Sequence, residues 1–98
     1  MDVDEFRSIL KSNQIVFLSK PNCKLCVDLS LYLDLNNIKY NKVDINVIEY
    51  GVELVEDIKS KYDVQSFPIC FKDSQYIGTK HDLIQEILNT KYNDINNI

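Results

Sequence analysis

The run Ile15–Ser19, IVFLS, is rich in β-branched and aromatic residues, is closed by Pro21, and leads directly into a helix-periodic segment. A continuous apolar run bounded in this way reads as a buried strand. From Lys24 to Leu35 the apolar positions Leu25, Leu29, Tyr32 and Leu33 recur at helical spacing, and Asn36-Asn37 ends the element. Ile38 to Ile45, IKYNKVDI, has the composition of a second strand, although its apolar parity slips between Tyr40 and Val43. Strand, helix, strand in this order predicts a βαβ unit with its two strands parallel.

The remaining segments complete the pattern. Val3, Phe6 and Leu10 mark one face of a short first helix, and Val52, Val55, Ile58 and Tyr62 mark a third. FPICF opens a strand at Pro68, KDSQ turns it, and QYI leads to Gly78, so the two form a hairpin. Asp82 followed by Gln85 resembles a capping box ahead of Leu83, Ile84, Ile87 and Leu88, the buried face of a last helix. The expected fold is a single α/β domain over 1–98 in the order α-β-α-β-α-β-β-α, with a frayed polar end at 91–98.

Charge and composition exclude several functions. The 98 residues carry 11 basic and 15 acidic side chains, a net charge of -4, and no Lys/Arg cluster interleaved with aromatics, which argues against nucleic acid as a partner. No apolar run approaches the roughly 20 residues of a membrane span. MDVDEF has no basic region leading into an apolar stretch, so a cytoplasmic location is expected. A monomer acting on small molecules or proteins fits these properties.

The chemistry lies at the junction between the first strand and the helix after it. Cys23 and Cys26 form a Cys-x-x-Cys pair, which can be a redox couple, half of a metal site or a structural disulfide. Three cysteines cannot all pair within one chain, and a small cytosolic domain is not normally held by disulfides. Zinc usually takes four ligands, and the remaining candidates, Cys70 and His81, are spaced like no known zinc module. No metal is expected. Cys70 lies mid-strand between Ile69 and Phe71, where a buried and inert thiol is expected.

Asn22 is suited to cap the helix, which puts Cys23 at its N-terminus. Unpaired amides, the helix dipole, Lys20 and Lys24 all favour the thiolate there. Cys26, one turn further in, feels less of that field but remains within disulfide reach. The two sulfurs are therefore unequal, an exposed attacker and a protected resolver. Lowering a thiol pKa from about 8.5 to about 5 raises the thiolate fraction roughly 30-fold, and a Brønsted slope near 0.45 removes about the same factor in nucleophilicity. The surviving advantage is that of a good leaving group, released quickly from a mixed disulfide by a small thiol.

Three segments in order, FLSKPNCKLC, SFPICF and YIGTKHDL, together resemble a family. The chain is similar to dithiol glutaredoxins of the thioredoxin-like superfamily over about Phe6 to Leu88, matching a Lys-x-x-Cys-x-x-Cys loop, a Thr-Val-Pro segment and an Ile-Gly-Gly-x-x-Asp-Leu segment. The resemblance implies a thioredoxin-like fold with a mixed four-stranded sheet flanked by helices, a cis bond before Pro68 facing the cysteines, and a glutathione groove. It implies Cys23 as nucleophile, Cys26 as resolving thiol, and Lys20 as partner of a glutathione carboxylate and support for the thiolate. It also implies that the Phe67 backbone holds the cysteinyl unit beside Pro68, and that His81 and Asp82 receive the γ-glutamyl carboxylate. Glutathione would be co-substrate, and disulfide-containing or glutathionylated proteins, ribonucleotide reductase among them, would be partners.

Four residues at three places depart from the family pattern. Lys24-Leu25 stands where many members have Pro-Tyr, Thr79 where a second glycine is expected, and Phe67 where the family has a smaller valine. Two further readings follow from these changes and from the fold. One is a redoxin reduced by a thioredoxin-reductase-type enzyme, and the other a module in which Cys23 and glutathione hold an iron–sulfur cluster.

Overall fold

The computed structural model describes the backbone of residues 1–64 and 66–96, and the side chains of these as far as residue 90. The elements run α1 (Val3–Ser12), β1 (Ile15–Ser19), α2 (Lys24–Leu35), β2 (Asn41–Asp44), a 3-10 turn (Ile45–Val47), α3 (Gly51–Lys61), β3 (Ile69–Lys72), β4 (Gln75–Gly78) and α4 (Lys80–Asn96). The expected frayed end, 91–98, lies outside the described residues apart from the helical backbone to Asn96.

The four strands form one mixed sheet in the order β2-β1-β3-β4. β1 and β2 are parallel, as a pair joined through a crossover helix must be, and β3 runs antiparallel to both β1 and β4. All five residues of β1 are buried because helices cover both sides of this inner strand. Val16 and Leu18 join Phe6, Val43, Val55, Ile58, Ile69 and Phe71 on the face covered by α1 and α3. Ile15 and Phe17 join Cys26, Leu29, Leu33, Cys70, Leu83 and Ile87 on the face covered by α2 and α4. Fully burying an aliphatic or Phe side chain contributes about 1.5–3 kcal/mol, so β1 with its two covers is the foundation on which the cysteine loop rests.

Two local structures explain where the sequence-based bounds shift. Asn37 takes the left-handed conformation at φ 55, its N–H donates to the Asp34 carbonyl at 3.1 Å, and the Ile38 N–H donates to the Leu33 carbonyl at 2.9 Å. This is a Schellman stop with asparagine in the glycine position. It draws Ile38 into the end of α2, so β2 starts at Asn41 and not at Ile38. At the hairpin, Asp73 and Ser74 have φ 52 and 69, both positive as a tight two-residue hairpin turn requires. The Ser74 hydroxyl ties that turn to the Leu10 carbonyl at 2.9 Å. Among the described residues no helix is long and apolar enough to cross a membrane.

Candidate active site

The end of β1 delivers Lys20, Pro21, Asn22 and Cys23 to one edge of the domain, where α2 begins. Asn22 is not the cap of that helix. It adopts φ 59, which asparagine tolerates, and so turns the chain to make Cys23 itself the N-cap. The Cys23 sulfur accepts the Cys26 N–H at 3.2 Å, using one of the amides left unpaired at a helix start. The sulfur thus sits at the positive end of the helix, one position earlier than the spacing suggested and more directly on the helix amides.

Cys23 and Cys26 are joined as a disulfide with their Cα atoms 5.3 Å apart. Their surroundings differ. Cys23 is partly exposed, whereas Cys26 is 1% exposed and packed into the α2 side of the core, so only Cys23 offers its sulfur to an incoming thiol. An open groove of about 590 Å³ runs beside them, lined by Ser19, Lys20, Lys24, Lys42 and Asp44 among others. Lys20 and Lys24 come from the loop itself, and Lys42 from β2.

The peptide bond between Phe67 and Pro68 is cis, and these residues close the β3 side of the site. Pro68 is buried and lies just ahead of β3, which starts at Ile69 and not at the proline. Lys20 Nζ stands 5.3 Å from the centre of the Phe67 ring, a cation–π contact that joins the cysteine loop to this segment. Phe67 lines two grooves. One, of about 270 Å³, is shared with Lys20, Lys59, Val64 and Ser66. The other, of about 290 Å³, is shared with Leu25, Pro68, Thr79, Lys80, His81 and Ile84. Leu25, Phe67 and Thr79, three of the departures from the family pattern, therefore line the same groove.

The helix start at the far end of that groove differs from the sequence expectation. α4 begins at Lys80, so Asp82 lies in its first turn and is not its cap. Thr79 is the cap: its hydroxyl accepts the Asp82 N–H at 3.3 Å. The Asp82 carboxylate in turn accepts the Thr79 N–H at 2.9 Å and its hydroxyl at 3.0 Å. These bonds, first the backbone one, hold the Asp82 carboxyl below its ordinary pKa, with His81 adding a smaller effect. Gly78, at φ 132, leaves the room this carboxylate occupies, since a Cβ there would collide with Asp82 Oδ2. Asp82 is absent from the groove lining, whereas His81 is present and exposed.

Cys70 is fully buried and is a free thiol with only a long contact, 3.9 Å, to the Pro68 carbonyl. Burial, and after it the Asp82 charge, pushes its pKa up to about 12, which makes it unreactive at physiological pH. Among the described residues no three His, Cys, Asp or Glu side chains converge as a metal site. The structure brings Lys20, Cys23, Cys26, Phe67, Pro68 and His81 to one edge, and adds Lys42, Lys59 and Ser66. Lys42 and Lys59 come from distant segments and carry no local signal, so only the topology draws them in, whereas Ser66 directly precedes Phe67 in SFPICF.

A glutaredoxin family model matches residues 15–77. The chain is 25% identical over 81 residues to the bovine (Bos taurus) mitochondrial glutaredoxin-2, a match covering 82% of this chain and 51% of that protein. It spans about half the length of the curated relatives it matches. Among solved structures, a buckwheat glutaredoxin–glutathione complex superposes with a TM-score of 0.75 at 17% identity, covering 90% of this chain and 80% of that one. A dithiolic glutaredoxin from Trypanosoma brucei brucei superposes with a TM-score of 0.70 at 24% identity, covering 88% and 87%. The shared fold is thioredoxin-like, a mixed four-stranded sheet flanked by helices.

Proposed function

The chain belongs to the glutaredoxin family, and from that premise we propose that it is a thiol–disulfide oxidoreductase whose electrons come from glutathione. The observation that carries this reading is the inequality of the two sulfurs, with Cys23 at the helix start and reachable, and Cys26 enclosed. In the proposed cycle the Cys23 thiolate attacks the glutathione sulfur of a glutathionylated protein. A Cys23–glutathione disulfide forms, and the protein leaves as a thiolate that takes up a proton. A second glutathione thiolate attacks the glutathione sulfur of that adduct, releasing oxidised glutathione and restoring Cys23. With a protein disulfide, Cys23 forms the mixed disulfide and Cys26 then attacks the Cys23 sulfur. This expels the reduced protein and closes the Cys23–Cys26 disulfide, which two glutathiones reopen.

Glutathione is a short extended peptide with its thiol near the middle and a carboxylate at each end, and the two grooves flanking Phe67 suit that layout. The cysteinyl unit would pair with the Phe67 backbone in the manner of an added strand. The glycyl carboxylate would meet Lys20 and Lys59. The γ-glutamyl carboxylate would meet the amides of Lys80 and His81 at the start of α4, where the helix dipole favours an anion. The carboxylate of Asp82 is committed to Thr79, so its proposed contribution is to hold that helix start in place.

A second donor is a specific alternative because Thr79 puts a side chain where the family has glycine, and Leu25 replaces an aromatic wall, in the same groove. The test is whether reduced glutathione alone sustains reduction of a protein disulfide. Turnover with glutathione supports the proposal. Turnover only after a thioredoxin-reductase-type enzyme is supplied replaces glutathione with that enzyme as electron donor.

A further inference from the structure

Ser19 closes β1 and is 1% exposed, yet its hydroxyl has no hydrogen-bond partner among the described residues. Leaving a buried hydroxyl unpaired is unfavourable, so the cause should be sought in a state where it is paired. Strand alternation gives the direction. Ile15 and Phe17 point to the α2 and α4 side of the sheet, Val16 and Leu18 to the other, and Ser19 follows Ile15 and Phe17. The first turn of α2 lies over that side, and Cys26 is its residue packed inward with Phe17 and Leu29. Ser19, Cys23 and Cys26 line the same groove. Asp44, opposite Ser19 across the parallel strands, also lines it, but the carboxylate bond described for Asp44 goes to the Asn46 amide at 2.8 Å.

We infer that Ser19 is a positioning residue for the redox couple, donating its hydroxyl hydrogen to the Cys26 sulfur when the disulfide is opened. This rests on the reading of Cys23 and Cys26 as a reversible pair. Opening consumes two electrons, supplied for instance by two glutathiones that leave as one oxidised glutathione, and of the two protons these release, any not taken up by the cysteine sulfurs pass to solvent. A disulfide sulfur is a poor acceptor and a thiolate a strong one, so the bond exists only in the reduced form. Ser19 then favours the dithiol, makes the protein a stronger oxidant, and holds the resolving sulfur beneath the loop. The same hydroxyl is a burden on the oxidised form and a support of the reduced one.

The test compares wild type, Ser19→Ala, Ser19→Thr and a control, Ser30→Ala, whose hydroxyl lies on α2 outside this groove. Each is equilibrated in dithiothreitol redox buffers, and the midpoint of thermal unfolding is measured for both redox forms. Ser19→Ala is expected to shift the equilibrium about tenfold toward the disulfide, which is about 30 mV to lower potential. Its reduced form should melt lower than wild type while its oxidised form melts at the same temperature or higher. Ser19→Thr, which keeps the hydroxyl, should restore the wild-type potential, and Ser30→Ala should leave it unchanged. Equal losses of stability in both forms with an unchanged potential would overturn the inference and make Ser19 a structural hydroxyl. A wild-type pair that cannot be opened and reclosed reversibly would overturn the redox reading and this inference with it. A wild-type pair that titrates normally beside an unshifted Ser19→Ala would overturn this inference alone.

Discussion

Thr79 and Asp82 cap the last helix reciprocally, each accepting the other's backbone N–H, at 2.9 Å to the Asp82 carboxylate and 3.3 Å to the Thr79 hydroxyl. The residue that departs from the family's second glycine is thus part of the structure that fixes the helix start at the proposed glutathione groove. Replacing an N-cap threonine with alanine typically costs about 1 kcal/mol, so Thr79→Ala should lower the midpoint of thermal unfolding by about 4–8 °C. The pH dependence has a definite sign. The Asp82 pKa is lowered by folding, so its contribution is present above the unfolded carboxyl value and is lost as pH falls through the folded one. Stability should therefore decline below about pH 4, and Asp82→Ala should make that acid limb shallower in denaturant titrations.

Gly78→Ala tests the same corner from the backbone side. The residue holds φ 132, and a Cβ there would meet Asp82 Oδ2. A strained backbone position of this kind costs on the order of 1–3 kcal/mol. Urea unfolding should show a loss in that range, and a neutral result would contradict the packing described.

The order of elements could be read from the apolar pattern, because β1 is a continuous apolar run buried on both sides and α2 and α4 each bury a face that recurs at helical spacing. What could not be read was set by local backbone exceptions and by distance in the chain. Cysteine is not a customary cap, so Asn22 drew the N-cap assignment that belongs to Cys23. Asp82 with Gln85 imitates a capping box, while the true one, Thr79 with Asp82, lay across a segment read as a glycine motif. Asn36-Asn37 does end α2 as read, but the left-handed Asn37 draws Ile38 into that stop, and this extension is what shortens β2. Lys42 and Lys59 reach the site only through the sheet and the helix that follows it, so nothing in their neighbours marks them; Ser19 stands beside Lys20 in FLSKPNCKLC, but its burial without a partner is visible only in the fold.

Cys70 should be inert. With its thiol buried and its pKa pushed up to about 12, the folded reduced protein should let an alkylating reagent reach Cys23 at neutral pH and leave Cys70 unlabelled until denaturant is added. Mass mapping of the labelled peptides measures this directly. Native labelling of Cys70 at the rate of the unfolded chain would contradict its placement.

Lys20 and Lys59 should share the binding of one glutathione carboxylate. Exposed charge pairs are worth about 0.2–1 kcal/mol, so each alanine variant should raise the KM for glutathione about 1.4–5-fold. The losses should shrink as salt screens the charges. Because the two lysines face one group, the double variant should cost less than the two losses added together.

The central claim is that Cys23 performs the attack and Cys26 only resolves. The direct measurement is glutathione-dependent reduction of a small glutathione mixed disulfide by wild type, Cys23→Ser and Cys26→Ser. The account predicts turnover by wild type and by Cys26→Ser, with Cys23→Ser reduced to background; sustained turnover by Cys23→Ser would contradict it.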